Sequence, residues 1–307
     1  MAASAVVFAY HNVGVRCLSV LLDRGVSVPL VVTHEDNPKE TIWFDSVADL
    51  AGLNRIPVVR PGDPNLPDVV AQITRLQPDF LFSFYYRLML KPGLLQIPRR
   101  GAYNMHGSLL PKYRGRVPVN WAIIKGEKQT GVTLHVMNEK PDNGAIVDQQ
   151  AVPILENDTA GEVFNKVTVA AELTLHRALP ALLAGTARFI PQDLSQGAYF
   201  GGRKPEDGVI DWRDSAANIH NLVRAVAPPY PGAGTLIAGK PCRVLRTLRE
   251  PQRSSRGTAP AIYVDDGGLF ADCGDGKVLR IVDLEVEGVA VTTRHFMAQF
   301  GQSVALV

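Results

Sequence analysis

The sequence has little cysteine and no cysteine motif. Its 307 residues include three cysteines, Cys17, Cys242 and Cys273, which lie far apart and without CxxC spacing. This low density excludes a disulfide-rich secreted scaffold, and the scattered histidines give no ligand spacing for a zinc site. We therefore expect a cytoplasmic location and no bound metal.

The sequence also lacks an excess of charge and a long hydrophobic run. Its 32 Lys and Arg residues oppose 30 Asp and Glu residues, so the formal net charge is +2. A near-neutral chain has no general electrostatic affinity for nucleic acid. No apolar stretch approaches the roughly 18 residues that span a bilayer, and the N-terminus does not resemble a signal peptide. We expect neither nucleic acid nor membrane among the partners.

Three common nucleotide and hydrolase motifs are absent. The first predicted strand leads into AYHNVGVRCL, which has no G-x-G-x-x-G turn for a dinucleotide pyrophosphate. The sequence contains neither the phosphate loop G-x-x-x-x-G-K-[ST] nor the serine elbow G-x-S-x-G. His11 and His34 follow predicted strands, and we interpret them as solvated loop residues.

The first half of the chain alternates short apolar runs with amphipathic segments. This alternation is typical of βαβ units and predicts an α/β fold with a mostly parallel sheet, in which ligands bind beyond the carboxyl ends of the strands. The predicted strands are Ala5–Ala9, Val28–Thr33, Ile56–Val59, Phe80–Phe84 and Ala102–His106. The predicted helices are Val15–Arg24, Phe44–Leu53, Asp68–Gln77 and Asp158–Leu183, the last one capped by Asp158.

The last third of the chain has a different pattern. Residues 191–211 are rich in glycine and polar side chains, which predicts a connector. A predicted helix at Ser215–Ala225 is followed by β-like runs separated by turns, which indicate a small β-barrel or sandwich. These runs are Thr235–Ile237, Cys242–Leu245, Ala261–Val264 and Val278–Val282. The predicted domains are therefore residues 1–190 and 212–307, joined by the connector.

The most informative segment is YNMHGSLLPKYRGR, which begins at Tyr103. If the five residues ending at His106 form a strand, the two-residue period puts Asn104 and His106 on one face at its carboxyl end. Downstream, the apolar run Val132–Val136 leads into a turn that carries Asp142. An amide, an imidazole and a carboxylate together can stabilise an oxyanion and move protons around a carbonyl. An N-x-H pair alone is usually structural and D-x-G is usually a turn, so only the combination is specific.

The block N-x-H-x-S-L-L-P-x-x-R-G and the later D-x-G resemble the signature of the 10-formyltetrahydrofolate-dependent formyltransferase family. The resemblance covers essentially the whole chain. It implies the formyltransferase fold, which combines a Rossmann-like sheet flanked by helices on both faces with a small OB-like β-barrel at the C-terminus. It also implies 10-formyltetrahydrofolate as the co-substrate.

Within this family, the chain looks closest to the formyltransferase half of the bifunctional enzyme that acts on UDP-4-amino-4-deoxy-L-arabinose in lipid A modification and polymyxin resistance. The supporting stretches are VVFAYHNVG, THEDNPKE, FSFYYR, HGSLLPKYRGRVPVNW, RKPEDGVIDW and RAVAPPYPGA. The resemblance implies a nucleotide-sugar acceptor. We expect a separate dehydrogenase chain to act upstream, since the sequence contains no counterpart of the dehydrogenase half.

The same resemblance assigns roles to individual residues. It implies that Asn104 donates a hydrogen bond to the oxyanion, that His106 transfers the proton, and that Asp142 assists His106 and helps to organise proton removal from the amine. The implied cofactor contacts are Leu88, Met89, Leu90, Arg116, Asn138, Glu139, Lys140, Pro141 and Asp142. Leu88 replaces a histidine of the related arabinose enzyme. If that histidine binds folate through its backbone, the replacement is tolerable; if it binds through its imidazole, the replacement lowers the affinity for folate.

Three alternatives stay open at this point. A methionyl-tRNA formyltransferase would share the fold and the catalytic residues, but the loop HEDNPKETIWFDS is mostly acidic or neutral, which disfavours contacts to tRNA phosphates. A formyltransferase for another amino sugar, such as a dTDP-linked 4- or 3-amino sugar, is harder to distinguish. A non-catalytic folate-binding module is disfavoured because Asn104, His106 and Asp142 are all present.

Overall fold

The computed structural model describes residues 2–38 and 40–306, which divide into two compact units. The first unit contains the chain up to Pro118, Gln129–Pro153 and Phe164–Gly201. The second contains Val119–Lys128, Ile154–Val163 and the chain from Gly202. The domain boundaries 1–190 and 212–307 stay a prediction.

A seven-stranded sheet organises the first unit. The strands in this part of the chain are β1 (Ser4–Ala9), β2 (Ser27–Val32), β3 (Val58–Val59), β4 (Phe80–Phe84), β5 (Ala102–His106), β6 (Arg114–Gly115), β7 (Gln129–Val136), β8 (Ile146–Pro153) and β9 (Tyr199–Phe200). The helices of the chain up to Ala184 are α1 (His11–Asp23), α2 (Val47–Leu53), α3 (Pro67–Leu76), α4 (Pro92–Leu95), α5 (Pro118–Ile124) and α6 (Ala160–Ala184). Helix α5 from Val119 and the start of α6 up to Val163 belong to the second unit. The sheet order is β3-β2-β1-β4-β5-β7-β8, parallel from β3 to β5 and antiparallel from β5 to β8. This arrangement confirms the predicted α/β fold with a mostly parallel sheet.

The sheet order positions the candidate site. Strands β2 and β3 lie on one side of β1, whereas β4 and β5 lie on the other, so the order of strand addition changes side between β1 and β4, although these two strands are parallel. Ligands of open α/β sheets bind at the carboxyl ends of the strands near such a switch point. Strand β4 is buried along its whole length, as its apolar sequence requires. The residues that follow β1, β4 and β5 therefore lie where a ligand is expected.

Three predicted helix starts are wrong. Helix α2 begins at Val47, three residues after the predicted Phe44, because the side chain of Ser46 caps it by accepting the N–H of Asp49 at 3.1 Å. Helix α1 begins at His11, four residues before the predicted Val15. Helix α6 is capped by Thr159: its hydroxyl accepts the N–H of Glu162 at 3.3 Å, and the Glu162 carboxylate accepts the N–H of Thr159 at 2.7 Å. This reciprocal pair of hydrogen bonds satisfies two N–H groups that have no carbonyl partner within the helix. The predicted cap, Asp158, instead accepts the N–H of Leu155 at 2.6 Å.

Helix α6 is long and apolar enough to meet a membrane-span criterion, with a mean hydropathy of 1.2 over an 18-residue window. The expectation that no stretch approaches this length is therefore wrong for α6. Half of that window is buried, and Val167, Ala171 and Leu175 recur at the spacing of one helix face. Its exposed face carries Glu172, which pairs with Arg16 at 2.6 Å. A core helix of a folded domain meets the same criterion.

A curled antiparallel sheet, a half-barrel, organises the second unit. Its strands are β10 (Ala233–Ile237), β11 (Lys240–Ser254), β12 (Ala261–Asp265), β13 (Gly268–Asp272), β14 (Lys277–Val286), β15 (Val289–Ala290) and β16 (Ser303–Ala305), and its helices are α7 (Ala216–Val226) and α8 (Thr293–Phe300). The order is β10-β11-β14-β13-β12-β16, with β15 paired to β14. Ile219 and Val223 of α7 join the apolar core of this sheet. The small C-terminal β domain is thereby confirmed.

Candidate active site

Strand β5 presents the two polar residues of the N-x-H segment. It pairs with β4 in parallel and with β7 in antiparallel orientation, and this register places Asn104 opposite His135 and His106 opposite Thr133. His106 is the last residue of the strand and is 6% exposed, whereas Asn104 is partly accessible. The predicted strand Ala102–His106 is confirmed. Both side chains therefore lie on one sheet face near the carboxyl end.

The imidazole of His106 has an oxygen atom near each nitrogen. Its Nε2 lies 2.8 Å from the carbonyl oxygen of Tyr113, and its Nδ1 lies 3.5 Å from Oδ1 of Asp142. A carbonyl oxygen can only accept a hydrogen bond, so Nε2 carries a proton and donates it to Tyr113. This bond fixes the ring, and the Nδ1 edge faces the carboxylate.

Asp142 lies in the turn between β7 and β8, with a φ of 56° in the left-handed region. Its Oδ2 accepts the backbone N–H of Gly115 at 2.8 Å, and its side chain is 10% exposed. Burial raises the pKa of this carboxyl, but the charge of His106, the hydrogen bond and charge of His135, and the Gly115 N–H outweigh burial. Together they hold the pKa of Asp142 well below its usual range, so the site contains a carboxylate anion.

His135 is a site residue that sequence reasoning missed. Its Nδ1 lies 2.9 Å from the carbonyl oxygen of Val136, so this nitrogen donates. Its Nε2 lies 3.1 Å from Nδ2 of Asn104 and 3.5 Å from Oδ1 of Asp142. Nε2 accepts a hydrogen bond from the Asn104 amide when the ring is neutral, and it donates to Asp142 when the ring is protonated. His135 thus lies between the amide of Asn104 and the carboxylate of Asp142. The sequence shows only that His135 is a polar residue within the apolar run Val132–Val136, and it does not show which strand pairs with that run.

The segment after His106 is tied to β7. The hydroxyl of Thr133 donates to the carbonyl oxygen of Ser108 at 2.7 Å and accepts the N–H of Leu110 at 3.0 Å. Gln149 of β8 donates from its amide to the Leu110 carbonyl at 2.9 Å and to the Thr133 hydroxyl at 2.8 Å. These bonds hold the loop that supplies the Tyr113 carbonyl to His106.

All the residues predicted to contact the cofactor except Arg116 fall into two segments, 88–90 and 138–142, that meet at one apolar cluster. Leu90 is buried in this cluster, and Met137, just before the second segment, packs against it. Leu88 and Met89 are 38% and 54% exposed. The other exposed members of the predicted set, Asn138, Glu139, Lys140 and Arg116, present polar groups, whereas Pro141 is half-buried. Asn138 is held by its own turn, because its Oδ1 accepts the N–H of Lys140 at 3.0 Å.

The interpretation of His11 as a solvated loop residue is wrong. It is 8% exposed, and its ring stacks on Phe44 with centroids 4.0 Å apart and meets the edges of Trp43 and Phe164 at 4.5 Å. Burial, assisted by the charge of Arg87, lowers the pKa of His11 to about 3. Within residues 2–38 and 40–306, no group of three or more His, Cys, Asp or Glu residues could hold a metal ion.

Family comparisons agree with this geometry. The family model described as formyl transferase matches residues 18–179, which is more than half of the chain. The chain belongs to the formyl transferase family. A second model, the formyl transferase C-terminal domain, matches residues 203–301. The protein is therefore a formyltransferase enzyme, and the two matches span most of the parallel sheet and most of the antiparallel half-barrel.

Solved structures of similar fold include two formyltransferases and one longer protein. An N-formyltransferase from Helicobacter canadensis, in complex with folinic acid and dTDP-3-aminofucose, is 20% identical with a TM-score of 0.71, covering 92% of this chain and 99% of that one. WlaRD, a sugar 3N-formyltransferase solved with dTDP and 5-N-formyl-tetrahydrofolate, is 19% identical with a TM-score of 0.72, covering 92% and 98%. HypX from Aquifex aeolicus, in complex with tetrahydrofolic acid, is 18% identical with a TM-score of 0.63, covering 96% of this chain and 47% of HypX. At these identities the likeness concerns the fold.

Proposed function

We propose that this formyltransferase transfers the formyl group of 10-formyltetrahydrofolate to the amine of a nucleotide-linked amino sugar. The observation that carries the proposal is the cluster of an amide, two imidazoles and a carboxylate at the end of β5, in which Asp142 lies 3.5 Å from both His106 and His135. Formyl transfer to an amine needs an oxyanion donor and a proton carrier at one carbon atom. This cluster offers both.

The proposed catalytic residues divide the work by their chemistry. The reaction joins the amine nitrogen to the formyl carbon, breaks the bond from that carbon to folate N10, and moves one proton from the amine to N10. Asn104 donates an amide N–H to the formyl oxygen as negative charge develops there. His106 carries the proton, and the anionic Asp142 stabilises the positive charge that His106 gains.

The two segments proposed to bind the co-substrate suit a folate in chemical type. Leu88 and Met89 present exposed apolar surface beside the cluster that contains Leu90. Exposed polar residues from Asn138 to Lys140 follow Met137, which packs against the same cluster. A pterin has a flat apolar face and a hydrogen-bonding edge, and these two segments supply one kind of surface each. Arg116 is exposed and provides the positive charge for the anionic part of a folate.

The narrower proposal names UDP-4-amino-4-deoxy-L-arabinose as the acceptor, in lipid A modification, with a separate dehydrogenase chain acting upstream and all steps in the cytoplasm. It rests on the sequence stretches that resemble the arabinose enzyme. A dTDP-linked 3- or 4-amino sugar is the second candidate, because the structure of the Helicobacter relative contains dTDP-3-aminofucose and WlaRD was solved with dTDP. The UDP and dTDP acceptors differ in the nucleoside, and the 3-amino sugars differ also in the position of the amine, so one assay separates them.

The decisive experiment measures tetrahydrofolate release with purified protein and a panel of acceptors. The panel contains UDP-4-amino-4-deoxy-L-arabinose, dTDP-linked 3- and 4-amino sugars and charged initiator tRNA. We expect the highest kcat/KM with the UDP sugar and no turnover with tRNA. A preference for a dTDP sugar would replace the narrower proposal, and a preference for tRNA would refute the amino-sugar proposal. The matched inactive control is Asn104→Ala, which should lower kcat by about 10²–10³-fold for every acceptor.

A further inference from the structure

The first half of the predicted connector 191–211, together with Ile190 before it, lies against the candidate site. We call residues 190–200 the strap. At its start, Ile190 and Ile146 exchange two backbone hydrogen bonds of 2.8 Å, which attach the strap to the beginning of β8. At its end, β9 pairs in parallel with β6. The strap is thus fixed on both sides of the turn that carries Asp142.

The side chain of Gln192 holds this turn by its backbone. Its Nε2 donates to the carbonyl oxygen of Asp142 at 2.9 Å and to that of Gly144 at 2.6 Å. Both partners can only accept, so the amide orientation of Gln192 is determined by the contacts. The turn needs such support, because Asp142 has a φ of 56°, and a Cβ on Gly144 would lie 1.8 Å from the carbonyl oxygen of Val136.

The β9 end of the strap also fixes the backbone group that holds the Asp142 carboxylate. In the parallel pair, the N–H groups of Arg114 and Arg116 donate to Ala198 and Phe200 at 3.1 and 2.9 Å. Successive N–H groups of a strand point to opposite sides, so the N–H of Gly115 points away from β9 and reaches Asp142 at 2.8 Å. Gly115 has a φ of 100°, and a Cβ there would lie 2.2 Å from the Phe200 carbonyl oxygen.

A third connection runs through the guanidinium of Arg114. Its Nη1 donates to Oδ1 of Asn143 at 2.9 Å, and its Nη2 donates to the carbonyl oxygens of Leu194 and Gly197 at 3.3 and 3.1 Å. A planar guanidinium can make these bonds together because its donors are held in a fixed fork. Arg114 therefore joins the residue next to Asp142 to the strap.

We infer that Gln192 is a positioning residue for formyl transfer, acting through Asp142, and that the strap is part of the catalytic architecture. This inference rests on the proposed function, since it requires the Asp142 carboxylate to take part in the reaction. Gln192 fixes the backbone of Asp142, while β9 fixes the N–H that binds its carboxylate. Loss of the Gln192 contacts lets the turn shift, which moves the carboxylate away from His106.

The test is a double-mutant cycle on kcat in single-turnover formyl transfer. Gln192→Ala removes both hydrogen bonds, and Gln192→Glu keeps the size but sets carboxylate oxygens against two carbonyl oxygens. The matched control is Gln150→Ala, since Gln150 is also a half-buried glutamine whose amide donates to a backbone carbonyl, that of Ala151 at 3.2 Å. Each change is made in the natural chain and in the Asp142→Asn variant, and thermal unfolding is recorded for all proteins.

We expect both Gln192 variants to lower kcat by about 10- to 100-fold and the control to leave it unchanged. In the Asp142→Asn background the effect of Gln192→Ala should disappear, because the carboxylate it positions is already gone. The inference is overturned if Gln192→Ala keeps the natural kcat, or if its effect is equally large in both backgrounds. A normal kcat for Asp142→Asn alone would instead refute the proposed role of Asp142, so the two failures are distinguishable.

Discussion

Replacing Asp142 by Asn removes one charge from the site and keeps the shape of the side chain. The carboxylate lies 3.5 Å from Nδ1 of His106 and accepts the N–H of Gly115 at 2.8 Å. Asparagine adopts the left-handed conformation as readily as aspartate and can still accept the Gly115 N–H through its carbonyl oxygen. The variant therefore preserves the turn and isolates the contribution of the charge.

The expected loss follows from the distance between Asp142 and His106. Two unit charges 3.5 Å apart, in a site with an effective dielectric constant of about 20, attract each other by roughly 5 kcal/mol. His106 is positively charged for only part of the reaction, so this energy is an upper limit on the contribution to the barrier. Since about 1.4 kcal/mol corresponds to a tenfold change in rate, we expect kcat to fall by about 10²–10³-fold.

The assay is single-turnover release of tetrahydrofolate, together with a binding titration of the folate. We expect the loss to appear in kcat, with little change in folate affinity. Asp148→Asn is the matched control, because Asp148 is a carboxylate of the neighbouring strand that pairs with Arg177 at 2.7 Å outside the site. A natural kcat for Asp142→Asn would mean that this residue only forms a turn.

Three further predictions concern other parts of the first unit. His135→Phe removes the acceptor for the Asn104 amide and should lower kcat by about tenfold or more, whereas His135→Gln, which keeps an acceptor, should lose less; steady-state kinetics measures both. Gly144→Ala should lower the free energy of unfolding, measured in urea, by about 1–3 kcal/mol, because the added Cβ would lie 1.8 Å from a carbonyl oxygen. The control is Gly52→Ala, which should be neutral or stabilising because no atom lies within 4 Å of the added Cβ. The pKa of His11 is about 3 in the folded chain and near 6.5 in the unfolded chain, so between these two pH values only the unfolded chain binds the proton. The free energy of unfolding therefore falls as the pH falls through this range. We expect His11→Phe to flatten that decline, as measured by thermal melts at several pH values.

The elements that local sequence signals specify were predictable. β4 and β5 have the predicted bounds, Phe80–Phe84 and Ala102–His106, because short apolar runs between turn-forming segments are sufficient evidence for buried strands. The period of a strand then gave the shared face of Asn104 and His106 without knowledge of any neighbour. No non-local information was needed for these two side chains.

Contacts between distant segments were not predictable. His135 reaches the site because β7 pairs antiparallel to β5 in a register that places it opposite Asn104, and a single sequence contains no signal for that register. The strap was predicted as a connector because glycine and polar residues are typical of loops. In the structure Gly197 of the strap approaches Pro111 so closely that a Cβ would lie 1.9 Å from its carbonyl oxygen, and Gln192 donates two hydrogen bonds.

The segment around Asp142 explains why the structural and functional interpretations of D-x-G could not be separated from the sequence. Asp142 is a turn residue, since its φ is 56°, and Gly144 is required by the nearby carbonyl oxygen of Val136. The same turn directs a carboxylate at His106 and His135. The position needs a residue that adopts a positive φ and a side chain that carries a negative charge, and aspartate provides both. Asparagine provides only the positive φ. The activity of the Asp142→Asn variant therefore distinguishes a turn residue from a catalytic one, which no pattern in the sequence can do.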